Sequence, residues 1–404
     1  MINKTNPYQK TLFTCFIGYM VQAIVNNFVP LLFLTFQSQY SIPLSQITLM
    51  VSINFALQLT VDLLAVGLVD KIGYRVCAIF AHVCAAAGFI LLTILPECFA
   101  DPFIGILISV SVYAVGGGLL EVLISPIVEA CPTDNKEKAM SLLHSFYCWG
   151  HVAVVLLSTI FFSVFSIENW KIMALLWAIV PFVNAISFAR VPIASLNASG
   201  EKALSFGTLA KQNIFWIFIL LMFCAGSCEQ AISQWASTFA EKGLGVTKTI
   251  GDLAGPMSFA ILMGSSRAFY GKHGEKINLE RFMIYSTLLC MASYLIAALV
   301  PHPVFGLIGC SLSGLSVGIL WPGTFSLASA SIKGGGTAMF ALLALAGDLG
   351  CASGPGLVGL VSGLFGDDLK SGILSALLFP LILLLGLFLK RITPATSSFF
   401  HNNT

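Results

Sequence analysis

Residues 102–128 read PFIGILISVSVYAVGGGLLEVLISPIV, and Glu121 is the single charged side chain in the run. A helix of about 20 apolar residues crosses a bilayer, and this stretch is longer than that. Runs of the same kind recur along all 404 residues, of which 57% are hydrophobic and 9% charged. So much apolar surface exceeds what a water-soluble core can hide, and an open sheet would leave backbone groups unpaired in lipid. We therefore expect an all-α integral membrane protein with the lipid bilayer as its solvent.

Breaks at charged residues and at Pro, Gly and Asn divide the chain into twelve candidate helices. They fall near 10–36, 43–69, 75–96, 102–130, 138–165, 171–191, 213–239, 249–270, 281–300, 303–328, 337–364 and 371–390. The longest polar connection, 192–212, contains SLNASGEKALS and separates 1–191 from 213–404, giving two sets of six helices around a central loop. The first run is too long for a signal-peptide core and lacks a small-residue cleavage site, so it is expected to stay as a span.

Lys and Arg favour cytoplasmic loops. With the N-terminus inside, the outside keeps only Lys171, Lys242, Lys248 and Lys370 of the 20 basic residues, and Arg267 counts with the inside set at the end of the eighth helix. Both termini are expected in the cytoplasm, in a multi-pass protein of the cell (plasma or inner) membrane. Asn197-Ala198-Ser199 spells a glycosylation sequon, but this topology puts it on the cytoplasmic side.

The net charge of +2 and its scatter do not suggest nucleic acid as a partner. The 11 cysteines form no CxxC pair and sit mostly in apolar runs, as Cys77, Cys84, Cys224 and Cys290 do, so they read as small core residues. No metal-ligand spacing, cofactor motif, Walker A sequence or catalytic constellation occurs, and neither an enzyme nor an ATP-driven pump is expected.

The turn after the second helix reads LVDKIGYR, residues 68–75, and that after the eighth reads YGKHGEK, residues 270–276. Lys71, Gly73 and Arg75 pair with Lys272, Gly274 and Lys276 at one constant offset, as expected of parallel repeats. KAMSLL opening the fifth helix and TAMFAL opening the eleventh give a weaker echo, as do Pro126 and Pro322. Twelve helices, a 6+6 repeat, a central loop and the turn Asp70, Lys71, Gly73, Arg75 together resemble the major facilitator superfamily over nearly the whole chain. Its usual leading glycine is replaced by Val66.

Two stretches are similar to the fucose-permease-like sugar transporters of that superfamily. One is LEVLISPIVEA with Glu121, Ser125 and Pro126; the other is GSCEQAISQW with Gly226, Glu229 and Trp235. The resemblance implies a fold of two pseudo-symmetric six-helix bundles whose first, fourth, seventh and tenth helices line a central cavity. The family's first-helix acid is missing after Asn26 and Asn27, so coupling by that route is not expected.

An ionisable group deep in a bilayer costs at least about 2.5 kcal/mol on insertion scales and normally faces a wet interior. Glu121, Glu229, Asp348 and Asp62 qualify by depth. Glu121, Glu229 and Asp348 are the candidates for proton coupling, although Glu121 could equally accept hydrogen bonds from sugar hydroxyls. Asn54, Gln58 and Asp62 recur every fourth residue and share a face. Asp62, two turns from Asp70, is grouped with Asp70, Lys71, Gly73 and Arg75 as a cytoplasmic gate.

His144, Tyr147 and His151 lie on one face of the fifth helix, and packing roles remain open for both histidines and for His82. The candidate substrate-binding set is Asn26, Asn27, Asn54, Gln58, Glu121, His144, Tyr147, Glu229, Gln230, Gln234, Trp235 and Trp321. Aromatic rings, amides and acids in that mixture suit a small polyhydroxylated ligand, with Trp235 stacking on a sugar ring. Trp170 and Trp216 are expected at the membrane interface. Gly347, Gly350, Gly354, Gly356 and Gly359 around Pro355 read as a pivot in the eleventh helix.

The expected activity is secondary transport of a small polar solute, best a sugar or sugar derivative, by a monomer using alternating access, with H⁺ or Na⁺ as driving ion. Efflux of amphipathic compounds is the alternative, with the 32 phenylalanines in its favour. A sensor or scaffold is disfavoured because the loops leave a partner little to grip.

Overall fold

The computed structural model describes residues 7–132, 136–194, 206–332 and 336–392. The sequon, most of the central loop and the final residues lie outside these, as does the side chain of Asp70. Among the described residues, eleven helices are long and apolar enough to cross a membrane. In chain order the spans are α1 Gln9–Tyr40, α2 Leu44–Ile72, α3 Tyr74–Ile94, α4 Pro102–Ala130, α5 Lys136–Phe165, α6 Trp170–Arg190 and α7 Asn213–Ser233. They continue with α8 Ser258–His273, α9 Leu279–Leu299, α10 Pro303–Ser331, α11 Gly336–Leu364 and α12 Leu369–Ile392. The eighth is the one missing from the eleven apolar spans. Its N-terminal part is the short helix Lys248–Asp252 and a π turn Leu253–Met257, and Arg267 and several serines dilute its apolar content.

The packing repeats between the two sets of six. Helix α1 packs on α4 and α5 as α7 does on α10 and α11; α3 meets α4 and α6 as α9 meets α10 and α12; α2 meets α4 as α8 meets α10. The two sets meet along α2 against α11 and α5 against α8. Large apolar side chains such as Phe13, Leu64, Phe182, Leu364 and Leu385 point outward, as a protein solvated by lipid requires.

Small residues set the close approaches. A Cβ on Gly118 would come within 2.9 Å of the Gln58 backbone and 3.2 Å of an Asp62 oxygen, so glycine here lets α4 lie against α2. Gly226 of α7 abuts the Gly347 carbonyl and Gly350 abuts the Phe223 carbonyl, so the glycine-rich stretch of α11 is a tight seam with α7. Pro355 sits inside α11 without ending it.

At the α2–α3 turn Gly73 takes φ 97° and ends α2, and Arg75 donates to the carbonyls of Phe188 and Ala189 at 2.8 and 3.0 Å, where α6 ends. Gly274, its repeat counterpart, has φ −57° and lies in a short 3-10 turn, so the echo in sequence is not an echo in conformation.

Prolines open the helices where the halves meet. Pro30 has no N–H for the Asn26 carbonyl, α1 tightens into a 3-10 turn over Val29–Leu32, and Gln234, just past the end of α7, donates to that carbonyl at 3.0 Å. Nearby, Lys248 donates to the Leu31 carbonyl at 2.7 Å and pairs with Glu241 at 3.2 Å and Asp252 at 3.1 Å. The fully buried Asp252 accepts from Ser237 at 2.5 Å and, across the seam, from Thr159 of α5 at 3.3 Å. Ser163 and Thr249 share a further hydrogen bond of 3.1 Å. These contacts latch the halves on the side away from Gln9 and Ile392.

Removing one partner of a buried ion pair leaves the other uncompensated, at about 3 kcal/mol. Asp252→Ala should therefore lower the apparent Tm in detergent by several degrees. Lys171→Ala, at the more exposed pair with Glu97, should change it by a degree or less. Equal effects of the two substitutions would contradict the latch.

Candidate functional site

A cavity between the halves encloses about 680 Å³, including the solvent-filled space at its mouth. It is lined by Tyr19, Gln22 and Asn26 of α1, Phe55 and Gln58 of α2, Glu121 of α4, and His144 and Tyr147 of α5. The second half contributes Glu229 and Gln230 of α7, Arg267 of α8, Trp321 of α10, and Asp348 and Cys351 of α11. Corresponding helices of the two sets thus face each other across it, and α3, α6, α9 and α12 contribute nothing. By helix rise, Glu121 lies about 14 Å from the C-terminal end of α4 and about 29 Å from its start, inside the span.

Most polar groups here are held by a neighbour. Gln22 donates to a Glu121 oxygen at 2.7 Å, Tyr19 shares a 2.8 Å bond with Ser125, and Gln58 donates to Asn26 at 2.9 Å. His144 meets the Tyr19 ring edge-on at 5.4 Å. Arg267 pairs with Glu229 at 3.3 Å. Its Nε donates at 3.2 Å to the Gly318 carbonyl, which Pro322 leaves without its helical partner, so a proline break in α10 fixes the arginine.

Asp62, Glu121 and Asp348 each place a carboxylate oxygen within 4.8 Å of the others. Asp62 is 5% exposed and Asp348 7% exposed, and both oxygens of Asp62 lack a hydrogen-bond donor among the described residues. Asp62, expected deep in the second helix and grouped above with the gate residues, thus lies against two other deep acids. Its side chain faces Glu121 and Asp348 inside the bundle because α4 comes close at Gly118.

Eight of the twelve expected substrate-site residues line the cavity: Asn26, Gln58, Glu121, His144, Tyr147, Glu229, Gln230 and Trp321. Four do not. Asn27 donates to the Ala23 carbonyl, and Gln234 holds the Asn26 carbonyl. Asn54 borders a second, smaller cavity on the latched side. Trp235 is fully buried there against Phe33, its indole N–H given to the Pro355 carbonyl at 3.0 Å, so its ring does not reach the central cavity.

His151 is buried near Phe259 outside the cavity. His82 is bound by the Ala78 carbonyl at 2.7 Å and by Asn184 at 2.8 Å, a packing role. Trp170, expected at the interface, is instead fully buried with its N–H on Gln39, while Trp216 is half exposed.

Tyr19, Gln22, Phe55, Arg267 and Cys351 were not anticipated. Tyr19, Gln22 and Asn26 share a helical face, a signal present in the spacing. Arg267 gave no such sign, since it sits a few residues from a basic turn and reads as part of it.

A family model described as the Major Facilitator Superfamily matches residues 11–355, and the chain belongs to that family of transporters as a multi-pass membrane protein. No curated protein matches the chain. Among solved structures, a bacterial homolog of the human lysosomal transporter Spinster is similar at 14% identity and TM-score 0.76, covering 96% of this chain and 98% of that one. The Escherichia coli fucose:proton symporter aligns at 16% identity and TM-score 0.65, covering 95% and 99%. A D-xylose-proton symporter aligns at 13% and 0.74, covering 96% and 98%. At these identities the likeness is one of fold.

Arg267 and Glu229 are nearly buried, so each is left uncompensated when the other is removed. Arg267→Met should lower the apparent Tm by an amount equivalent to about 2 kcal/mol, and adding Glu229→Gln should recover much of the loss. Additive losses in the double variant would show that the pair is not coupled.

Proposed function

We propose that the protein is a secondary transporter for a small polyhydroxylated solute, a sugar or sugar derivative, carried by alternating access and coupled to a cation. The supporting observation is the cavity: amides, hydroxyls, carboxylates and one arginine from both halves converge with the rings of Phe55, Tyr147 and Trp321. Such a lining can exchange hydrogen bonds with several hydroxyls while a ring covers the apolar face of a pyranose. An amphipathic or lipophilic cargo would displace water from this polar lining without replacing its hydrogen bonds, which costs binding energy. The sugar:proton symporters among the solved neighbours lend the fold, and the substrate class rests on the cavity itself.

In this reading Asn26, Gln58, His144, Tyr147, Gln230 and Trp321 contact the solute. Glu229 with Arg267 offers a charged pair to its hydroxyls, and Glu121 and Asp348 carry the coupling charge. The site lies between the halves, so closing one side and opening the other exposes it in turn. The protein works as a monomer with the central loop and both termini in the cytoplasm, in the cell membrane. Asp70, Lys71, Gly73 and Arg75, around the α2–α3 turn, belong to the cytoplasmic gate.

Glu121→Gln keeps the hydrogen bond from Gln22 available and removes the charge. In liposomes it should abolish gradient-driven accumulation, by tenfold or more, while exchange of labelled solute across the membrane persists. Undiminished accumulation by the variant would remove Glu121 from coupling.

A further inference from the structure

The three-carboxylate cluster in the wall of the cavity is not explained by solute binding. Asp62 and Glu121 belong to the first half and Asp348 to the second, and oxygens from all three lie within 4.8 Å of one another. Glu121 receives one hydrogen bond, from Gln22, whereas both oxygens of the nearly fully buried Asp62 receive none from the described residues. Arg267 is committed to Glu229, the Gly318 carbonyl and Cys148. Three carboxylates gathered out of water repel one another strongly when ionised without a cation. Oxygen-only ligands of this kind are what a hard metal cation takes.

We propose that Asp62, Glu121 and Asp348 form a binding site for one hard metal cation that bridges the two halves of the transporter. The inference deepens the coupling assigned above and rests on that reading for its physiological use. The cation converts repulsion across the α2–α11 seam into attraction. Its occupancy thereby favours this arrangement, in which the far side is latched by Lys248, Asp252 and Gln234, and its departure loosens the seam. Sodium fits a coupling role, and a divalent ion of the same oxygen preference would instead act as a structural clamp.

The test is thermal unfolding of the purified full-length protein in detergent, with NaCl, CaCl₂ or MgCl₂ titrated against choline chloride at constant ionic strength. A cation bound only by the folded state raises the apparent Tm in a saturable way, here by several degrees. A response to NaCl assigns a coupling ion, and a response to CaCl₂ or MgCl₂ alone assigns the clamp. Asp348→Asn should abolish the response. Should that variant not fold, Asp62→Asn serves the same purpose, and its Tm in choline should rise toward that of loaded wild type because one repelling charge is gone. No saturable response to any metal salt, stabilisation by acidification alone, or a response that survives both substitutions would overturn the proposal. Stabilisation by cation but by no sugar would keep this site and reject the sugar reading; stabilisation by a sugar but by no metal cation would do the reverse.

Discussion

In a bilayer no water is at hand to accept a hydrogen bond that the chain leaves unmade, and this single constraint organises the protein. It forces every span to be a helix, and it makes each interruption of a helix something another residue must repair. Pro30 frees the Asn26 carbonyl and Gln234 takes it; Pro322 frees the Gly318 carbonyl and Arg267 takes it. Both repairs come from neighbouring helices at the centre of the molecule. The first ties the two halves together on one side, and the second steers the guanidinium beside Glu229 into the cavity. Breaks in the helices and the functional site are therefore parts of one arrangement.

The same constraint governs the charges. Most are at the helix ends, as with Glu280 against Lys390 and Arg391, or in the latch around Asp252. Glu229 is paired, and Glu121 has Gln22. Among the described residues neither oxygen of Asp62 has a donor, and it faces two further carboxylates. A transporter that must respond to an ion needs a place where charge is left incomplete by the protein, and this is where the chain leaves it.

Span boundaries were legible in the sequence because lipid imposes a length on every apolar run, and α4 begins and ends where Pro102 and Ala130 suggested. The deep acids Glu121, Glu229 and Asp348 were legible because charge inside such a run stands out. Less visible was which face of each helix points inward: Trp235 and Gln234 follow Glu229 in the chain, yet the end of α7 at Ser233 rotates them into the latch. Asp62, though read as deep, was grouped with the gate, and Arg267 with the basic turn, for a related reason. Each lies a few turns from a charged loop, and only the approach permitted by Gly118, or the carbonyl freed by Pro322, reveals that it points to the centre. The carboxylate cluster spans three helices distant in sequence, so no spacing rule could find it.

The central claim, that the cavity between the halves binds a small polar solute, is tested most directly by a thermal-shift screen of the purified protein against sugars, sugar acids, nucleosides and lipophilic cations. A ligand that binds only the folded state raises stability by RT ln(1 + [L]/Kd), so even millimolar binders register. The account predicts stabilisation by one stereochemical group of sugars or sugar derivatives, reduced when Glu229 or Gln230 is replaced. Stabilisation by lipophilic cations alone would contradict it and make the protein an efflux carrier.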